Sequence, residues 1–129
     1  MTDGRFVIHY HQLPPDSPRP SHWDLMFELH GQLATWALER PPTEAHPETI
    51  NARRLDDHRL AYLDYEGPVS GGRGTVTRYD SGDFDWSWPA TTRASGSLRG
   101  QRLQGTFQLV AQTDEPLNWQ FLWQPLPAN

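Results

Sequence analysis

The sequence predicts one mostly β domain, built as an antiparallel barrel or sandwich with little helix. Its 129 residues are about what a single domain needs to bury a core, so residues 1–129 are treated as one unit. Glycine and proline recur at short intervals, and the runs between them alternate apolar with polar residues. Alternation with a period of two is typical of half-buried strands that are joined by short turns.

Each element is predicted from this alternation and from the residues that interrupt it. Strands are predicted at residues 5–11, 22–30, 32–38, 74–79, 84–88, 94–98, 103–111 and 118–124. Tight turns are predicted at His30-Gly31, at 80–83 and at Gly100-Gln101. Two proline-rich segments, 13–21 and 41–47, are interpreted as exposed loops, and helix is expected only within 50–63.

The composition argues against several classes of protein. There is no cysteine, so disulfide frameworks and thiolate metal sites are excluded, and a cytoplasmic location is expected. No apolar run is long enough to cross a bilayer and no secretory leader is recognised, so membrane-spanning and secreted proteins are not expected. The net charge of −5 argues against nonspecific coating of nucleic acid. Every basic residue is an arginine, which suits bidentate phosphate contacts or reflects a GC-rich genome.

The segment 22–29 has two distinct faces if it forms a strand. The apolar face, which includes Leu25 and Phe27, belongs in the core. The other face places His22 beside Asp24, and an imidazole next to a carboxylate can chelate one divalent ion. Alone, this pair is weak evidence for a metal site, because a histidine and an aspartate two residues apart also arise by chance on surface strands.

The first strand supplies two more imidazoles, His9 and His11, on one face. If the proline-rich loop joins the two strands as a long hairpin, His11, His22 and Asp24 converge and leave coordination positions for water and substrate. The alternative is that both histidines of the first strand are ordinary half-buried or exposed side chains. The residues alone leave both interpretations open.

Motifs along nearly the whole chain resemble those of one protein family. Residues 6–11, Phe-Val-Ile-His-Tyr-His, are similar to its Phe-Val-Val-x-x-His, and residues 22–28, His-Trp-Asp-Leu-Met-Phe-Glu, to its His-Tyr-Asp-Leu-Arg-Leu-Glu. Further motifs match, in the same order and at similar spacing, at residues 35–41, 56–67, 105–110 and 118–122. The family that they resemble is the 3′-phosphoesterase domain of bacterial DNA ligase D, with its free-standing relatives.

The resemblance implies a compact antiparallel β-barrel enzyme that trims DNA 3′ ends in repair, removing a 3′-phosphate or a terminal ribonucleoside with manganese. Matched position by position, His11, His22 and Asp24 correspond to the metal ligands, and His58 and Tyr62 to the catalytic cluster. A divalent ion offsets charge on a phosphate, while an imidazole can protonate the leaving oxygen. Zinc or cobalt suits the same nitrogen and oxygen donors.

The main departure from the family concerns the residue two positions after Asp24. The family's arginine, which is expected to grip the scissile phosphate, is replaced by Met26, which has neither charge nor donor. Arg54 and Arg40 are candidates to supply the missing cation, although neither is aligned with the lost arginine, and with His9 they are the candidates for substrate contact. The loop between the ligand-bearing strands is also longer than the family's, and the glycine-rich segment 67–74 is shorter.

Three hypotheses of function follow. The first is a monomeric, divalent-metal-dependent 3′-phosphoesterase acting on DNA or DNA/RNA 3′ ends, with a separate ligase or polymerase as partner. The second is a non-catalytic, metal-containing barrel that binds nucleic-acid ends or a protein, because Met26 replaces the arginine. The third is a small-ligand barrel whose polar pocket is only coincidentally similar.

Overall fold

The computed structural model describes residues 3–112 and 115–127, with the backbone alone at positions 88 and 89. It is an antiparallel barrel, as predicted. Its strands are β1 Gly4–Gln12, β2 His22–Leu29, β3 Gln32–Leu38, β4 Glu48–His58, β5 Gly67–Pro68, β6 Thr75–Ala90, β7 Arg93–Gly100, β8 Gln104–Gln112 and β9 Glu115–Pro125. The predicted connections His30-Gly31 and Gly100-Gln101 are confirmed, since they join β2 to β3 and β7 to β8.

The barrel closes because β1 pairs on both sides, with β2 and with β6. The other neighbours follow the order β2-β3-β4-β9-β8-β7-β6, so eight antiparallel strands surround the core. The short β5 lies outside this ring and pairs with the start of β6. Closure pairs the backbone groups that an open sheet would expose along β1 and β6.

The two faces of the strands have different roles. The inward faces of the eight strands build one apolar core, which includes Phe6, Ile8, Leu25, Phe27, Trp36, Ile50, Phe84, Leu98, Leu109 and Phe121. A smaller apolar cluster lies on the outward face, where Val7, Met26 and Leu33 pack with Leu63. The polar residues that alternate with the core on β1 and β2 share that outward face. The candidate site therefore lies on the outside wall of the barrel.

The stretch to which helix is confined by the sequence, 50–63, is mostly strand, and the helical turn found among the described residues lies within it. Residues 48–58 form β4, which pairs with β3 on one side and β9 on the other, and only Leu60–Leu63 make a single 3-10 turn. Pairing on both edges and burial of Ile50 and Ala52 in the core outweigh the local helix preference. In the part of the chain that the structure describes, no helix is long and apolar enough to cross a membrane.

The turn predicted at 80–83 is also wrong, because these residues continue β6. The carboxylate of Asp80 is buried and accepts hydrogen bonds from the backbone N–H groups of Arg102 and Leu103, at 3.0 and 2.8 Å. Gly82 packs so close to a neighbouring backbone carbonyl that no side chain fits there. The pairing of β6 with β1 shifts its register just before these residues, because Ile8 pairs with Asp80 whereas His9 pairs with Arg78.

Candidate metal centre

The hairpin of β1 and β2 builds the candidate site. Its register pairs His11 with His22, and His9 with Asp24, across the two strands. Because these side chains share the outward face, three imidazoles and a carboxylate come together on the barrel wall. His22 and Asp24 are buried and His11 is half-buried, so the cluster is largely removed from water.

The structure brings together the three residues predicted to be metal ligands. One donor atom from each of His11, His22 and Asp24 lies within 4.8 Å of the other two. His22 Nε2 is 3.0 Å from Asp24 Oδ1, and His11 Nδ1 is 3.5 Å from Asp24 Oδ2. Two imidazole nitrogens therefore approach the two oxygens of one carboxylate.

The backbone holds the other nitrogen of each imidazole. His11 Nε2–H donates to the carbonyl of Arg73 at 2.7 Å, and His22 Nδ1–H donates to the carbonyl of Pro20 at 3.1 Å. In the neutral imidazoles these bonds leave the lone pairs of His11 Nδ1 and His22 Nε2 on the side of Asp24. Metal-binding histidines are usually oriented in this way, by an acceptor on the nitrogen that does not bind the metal.

Among the three candidate ligands, two buried atoms lack a hydrogen-bond partner in the described part of the chain. They are His22 Nε2 and Asp24 Oδ1, which lie 3.0 Å apart without hydrogen-bond geometry. Unpaired buried polar atoms are costly, and a cation between a nitrogen and an oxygen donor satisfies both. The residues present thus fit a divalent ion held by two nitrogens and a carboxylate.

The charge of the cluster depends on burial and on the close imidazoles. Burial raises the pKa of Asp24, but the contacts with His11 and His22 outweigh it and hold this pKa below its ordinary value. The contact with Asp24 raises the pKa of His11, against burial, which lowers it. Asp24 is therefore ionised at neutral pH, in the form that binds a cation.

His9 lies beside the three candidate ligands but is not within ligand distance of them all. Its side chain is 1% exposed, its Nε2 has no hydrogen-bond partner, and burial lowers its pKa to about 4. The imidazole is consequently neutral at pH 7 and lines the same cavity as Asp24 and His58. It can donate or accept one hydrogen bond there, and its contact with substrate stays a prediction.

The second predicted cluster, His58 and Tyr62, lies at the end of β4 and in the 3-10 turn. The two rings meet edge to face, with their centroids 6.0 Å apart. His58 Nδ1–H donates to the carbonyl of Asp56 at 2.9 Å, which leaves Nε2 available. Both side chains line the cavity that also contains the candidate ligands His11, His22 and Asp24. A strand end and a short turn, rather than a helix, bring the pair together.

One cavity of about 820 Å³ contains both clusters. Its walls come from β1, β2, the end of β4 and the 3-10 turn, and from the loops that precede β2 and β6. Three arginines that the sequence reasoning missed also line it, namely Arg19, Arg59 and Arg73. The path of a loop is not encoded in strand periodicity, so no pattern in the sequence singled them out.

The structure does not bring Arg54 or Arg40 to this cavity. The guanidinium of Arg54 lies over the ring of Trp36, 4.2 Å from its centroid, and is 3.5 Å from a carboxylate oxygen of Asp57. Arg40 is paired with Glu48 at 3.4 Å. Neither arginine lines the cavity, so the idea that they replace the missing arginine gains no support from their positions.

The chain matches one protein family over most of its length. Residues 11–111 match the DNA Ligase D 3′-phosphoesterase domain. The chain is 30% identical over 116 residues to the multifunctional non-homologous end joining DNA repair protein LigD of Mycobacterium tuberculosis. It is 28% identical over 116 residues to the multifunctional non-homologous end joining protein LigD of Pseudomonas aeruginosa. These matches cover 84% of this chain but only 15% and 14% of the relatives, so the chain spans a small fraction of their length. The match confirms the resemblance seen in the motifs, and the chain belongs to the DNA ligase D 3′-phosphoesterase domain family.

Proposed function

We propose that this chain is a divalent-metal-dependent 3′-phosphoesterase that removes a 3′-phosphate or a terminal ribonucleoside from DNA 3′ ends in DNA repair. The observation that carries the proposal is the buried, unpartnered pair His22 Nε2 and Asp24 Oδ1, in a cavity that also contains His58 and Tyr62. The family supports the same class of reaction, because it is named for 3′-phosphoesterase activity and its relatives for DNA repair.

In this proposal His11 Nδ1, His22 Nε2 and the Asp24 carboxylate hold the ion, for which manganese is our first expectation and zinc or cobalt also suits the donors. When bound, a divalent ion offsets the charge that develops on the phosphate and activates water. Hydrolysis adds water to phosphorus and breaks the bond to the leaving oxygen, which takes up a proton. His58 supplies that proton from Nε2–H when its imidazole carries a proton on both nitrogens, and Tyr62 orients the terminal nucleotide beside it.

The test is hydrolysis of a 3′-phosphorylated and a 3′-ribonucleotide-ended DNA primer, with manganese and then with chelator. We expect metal-dependent release of phosphate or nucleoside, which His22→Ala abolishes. His46→Ala is the matched control, because His46 lies at an exposed loop position outside the cavity. Equal activity in both variants would remove the proposed ligand set.

The non-catalytic barrel remains a second candidate because of one observation. Met26 occupies the position of the family's arginine and is 1% exposed, so no charged group stands there. Manganese binding without hydrolysis of either primer would favour this alternative.

We also propose that residues 1–129 act as a single monomeric domain and that a separate ligase or polymerase is a partner. Size-exclusion chromatography of the protein, alone and with such an enzyme, tests both proposals.

A further inference from the structure

Because Met26 is uncharged, strand β2 supplies no cation beside the candidate metal centre at this position. It follows Asp24 by two residues on the same outward face, and it packs with Val7, Leu33 and Leu63. A thioether in an apolar cluster offers neither charge nor donor to a phosphate oxygen. If a phosphate binds here, its charge must be met by the ion and by side chains from other elements.

Only some of the arginines that line the cavity are free to do so. Arg73 uses its guanidinium to bind the Ser70 carbonyl at 2.7 Å and the Ser70 hydroxyl at 3.2 Å. Arg59 follows His58 directly and lines the cavity on the side that carries His58 and Tyr62. No residue within 3–112 and 115–127 accepts a hydrogen bond from the guanidinium of Arg19. Arg19 lines the cavity and precedes Pro20, whose carbonyl accepts the hydrogen bond of the His22 imidazole, so it lies on the side of the cavity that carries the candidate ligands.

The loop that carries Arg19 is held at several points. The Leu13 N–H donates to Ser21 Oγ at 2.9 Å across the base of the loop, and the Arg19 N–H donates to Ser17 Oγ at 3.2 Å. Pro20, the next residue, gives its carbonyl to the His22 imidazole. Four prolines limit the conformations of this segment further. These hydrogen bonds and the prolines restrict the backbone of Arg19 next to the candidate ligands, which lowers the entropic cost of its contact with a phosphate.

We propose that Arg19, from the loop between β1 and β2, grips the non-bridging oxygens of the substrate phosphate at the metal centre, in place of the strand arginine that Met26 replaces. The inference rests on the proposed function. A guanidinium can donate two parallel hydrogen bonds to phosphate oxygens, so the loop supplies the geometry that the strand has lost.

The experiment measures kcat and KM for manganese-dependent release of phosphate from a 3′-phosphorylated primer, and manganese affinity by calorimetry. We expect Arg19→Ala to lower kcat/KM by about 10- to 100-fold and Arg19→Lys to lower it by less. Lysine keeps the positive charge but cannot donate two parallel hydrogen bonds to phosphate oxygens. Manganese affinity should stay within about twofold of wild type. Arg93→Ala is the control, because it removes the same charge at an exposed position away from the cavity. Arg93 is the strand register partner of Ala90 at one end of β6, whereas the cavity residue Val76 lies at the other end.

The outcomes separate this inference from the proposed function. If the wild type hydrolyses the primer and Arg19→Ala matches it, the inference is overturned and the function stands. It is also overturned if Arg19→Ala loses manganese affinity together with activity, because the loop then acts by holding the ligands. If Arg59→Ala lowers kcat/KM and Arg19→Ala does not, Arg59 is the residue that binds the phosphate, and the inference is overturned. A wild type that binds manganese but hydrolyses neither the 3′-phosphorylated nor the 3′-ribonucleotide-ended primer overturns both.

Discussion

The buried His9 imidazole makes the stability of the metal-free protein depend on pH. Burial lowers its pKa from 6.5 to about 4. Between these values the unfolded chain binds a proton that the folded chain does not, so the free energy of unfolding falls as the pH decreases through this range. Above pH 6.5 the contribution is complete, and the loss by pH 4 is at most about 3 kcal/mol, at about 1.4 kcal/mol for each pKa unit.

Urea unfolding of the metal-free protein at about pH 7 and about pH 5 measures this effect. His9→Gln keeps a polar side chain but does not titrate, so it should lose less stability between the two pH values than the wild type loses. His46→Gln, at an exposed position, should follow the wild type. The same pH dependence in His9→Gln and wild type would show that another group carries it.

The residues of the site differ in how far the sequence predicts them. His11, His22 and Asp24 could be placed together because strand alternation sets their face and the hairpin sets their register. Arg19 and Arg73 could not, because their positions depend on loop contacts, such as the Ser17 and Ser70 hydrogen bonds, that have no period.

At the scale of elements, the loop before β6 supports the candidate metal centre through its backbone. Gly74 has a φ of +81°, and a Cβ there would overlap the carbonyl oxygen of Gln12 at the end of β1. Its neighbour Arg73 supplies the carbonyl that orients His11. Gly74→Ala must therefore displace this backbone, and we expect manganese affinity to fall by about 10- to 100-fold, as for other losses of a group that orients a ligand.

Gly72→Ala is the matched control for this prediction. Gly72 also has a positive φ, +68°, but no atom lies within 4 Å of a Cβ built there. We expect about 1–2 kcal/mol of backbone strain and an unchanged manganese affinity. Calorimetry with manganese and urea unfolding compare the two variants, and equal affinities in both would mean that the Arg73 carbonyl is not needed to hold His11.

Elements with a strong local pattern were predictable, whereas those decided by distant pairing were not. The strands that carry the ligands alternate clearly, but the residues of β4 also suit a helix. Its strand conformation depends on pairing with β3 on one side and with β9 on the other. The residues of β9 lie about sixty or more positions further along the chain. The sequence therefore predicted that His58 and Tyr62 act together without predicting the strand end that places His58.

At the scale of the whole molecule, the candidate metal centre and the core are separate. The inward core spans all eight barrel strands, while His11, His22 and Asp24 lie on the outward face of only two. A closed barrel with a continuous core does not need an ion to fold, unlike small domains that are held together by metal. The metal-free protein should therefore keep its β-sheet circular dichroism after treatment with chelator.

Manganese should nevertheless stabilise the folded barrel, because only the folded chain brings the three donors together. At a concentration about 100-fold above its dissociation constant, an ion that binds only the folded state adds about 2.7 kcal/mol to the free energy of unfolding. Asp24→Asn should abolish the rise in Tm, since the carboxylate supplies the negative charge of the cluster, and Asp83→Asn, at an exposed position, should keep it. Thermal unfolding with manganese and with chelator measures both variants. A rise that persists in Asp24→Asn would place the ion elsewhere on the barrel.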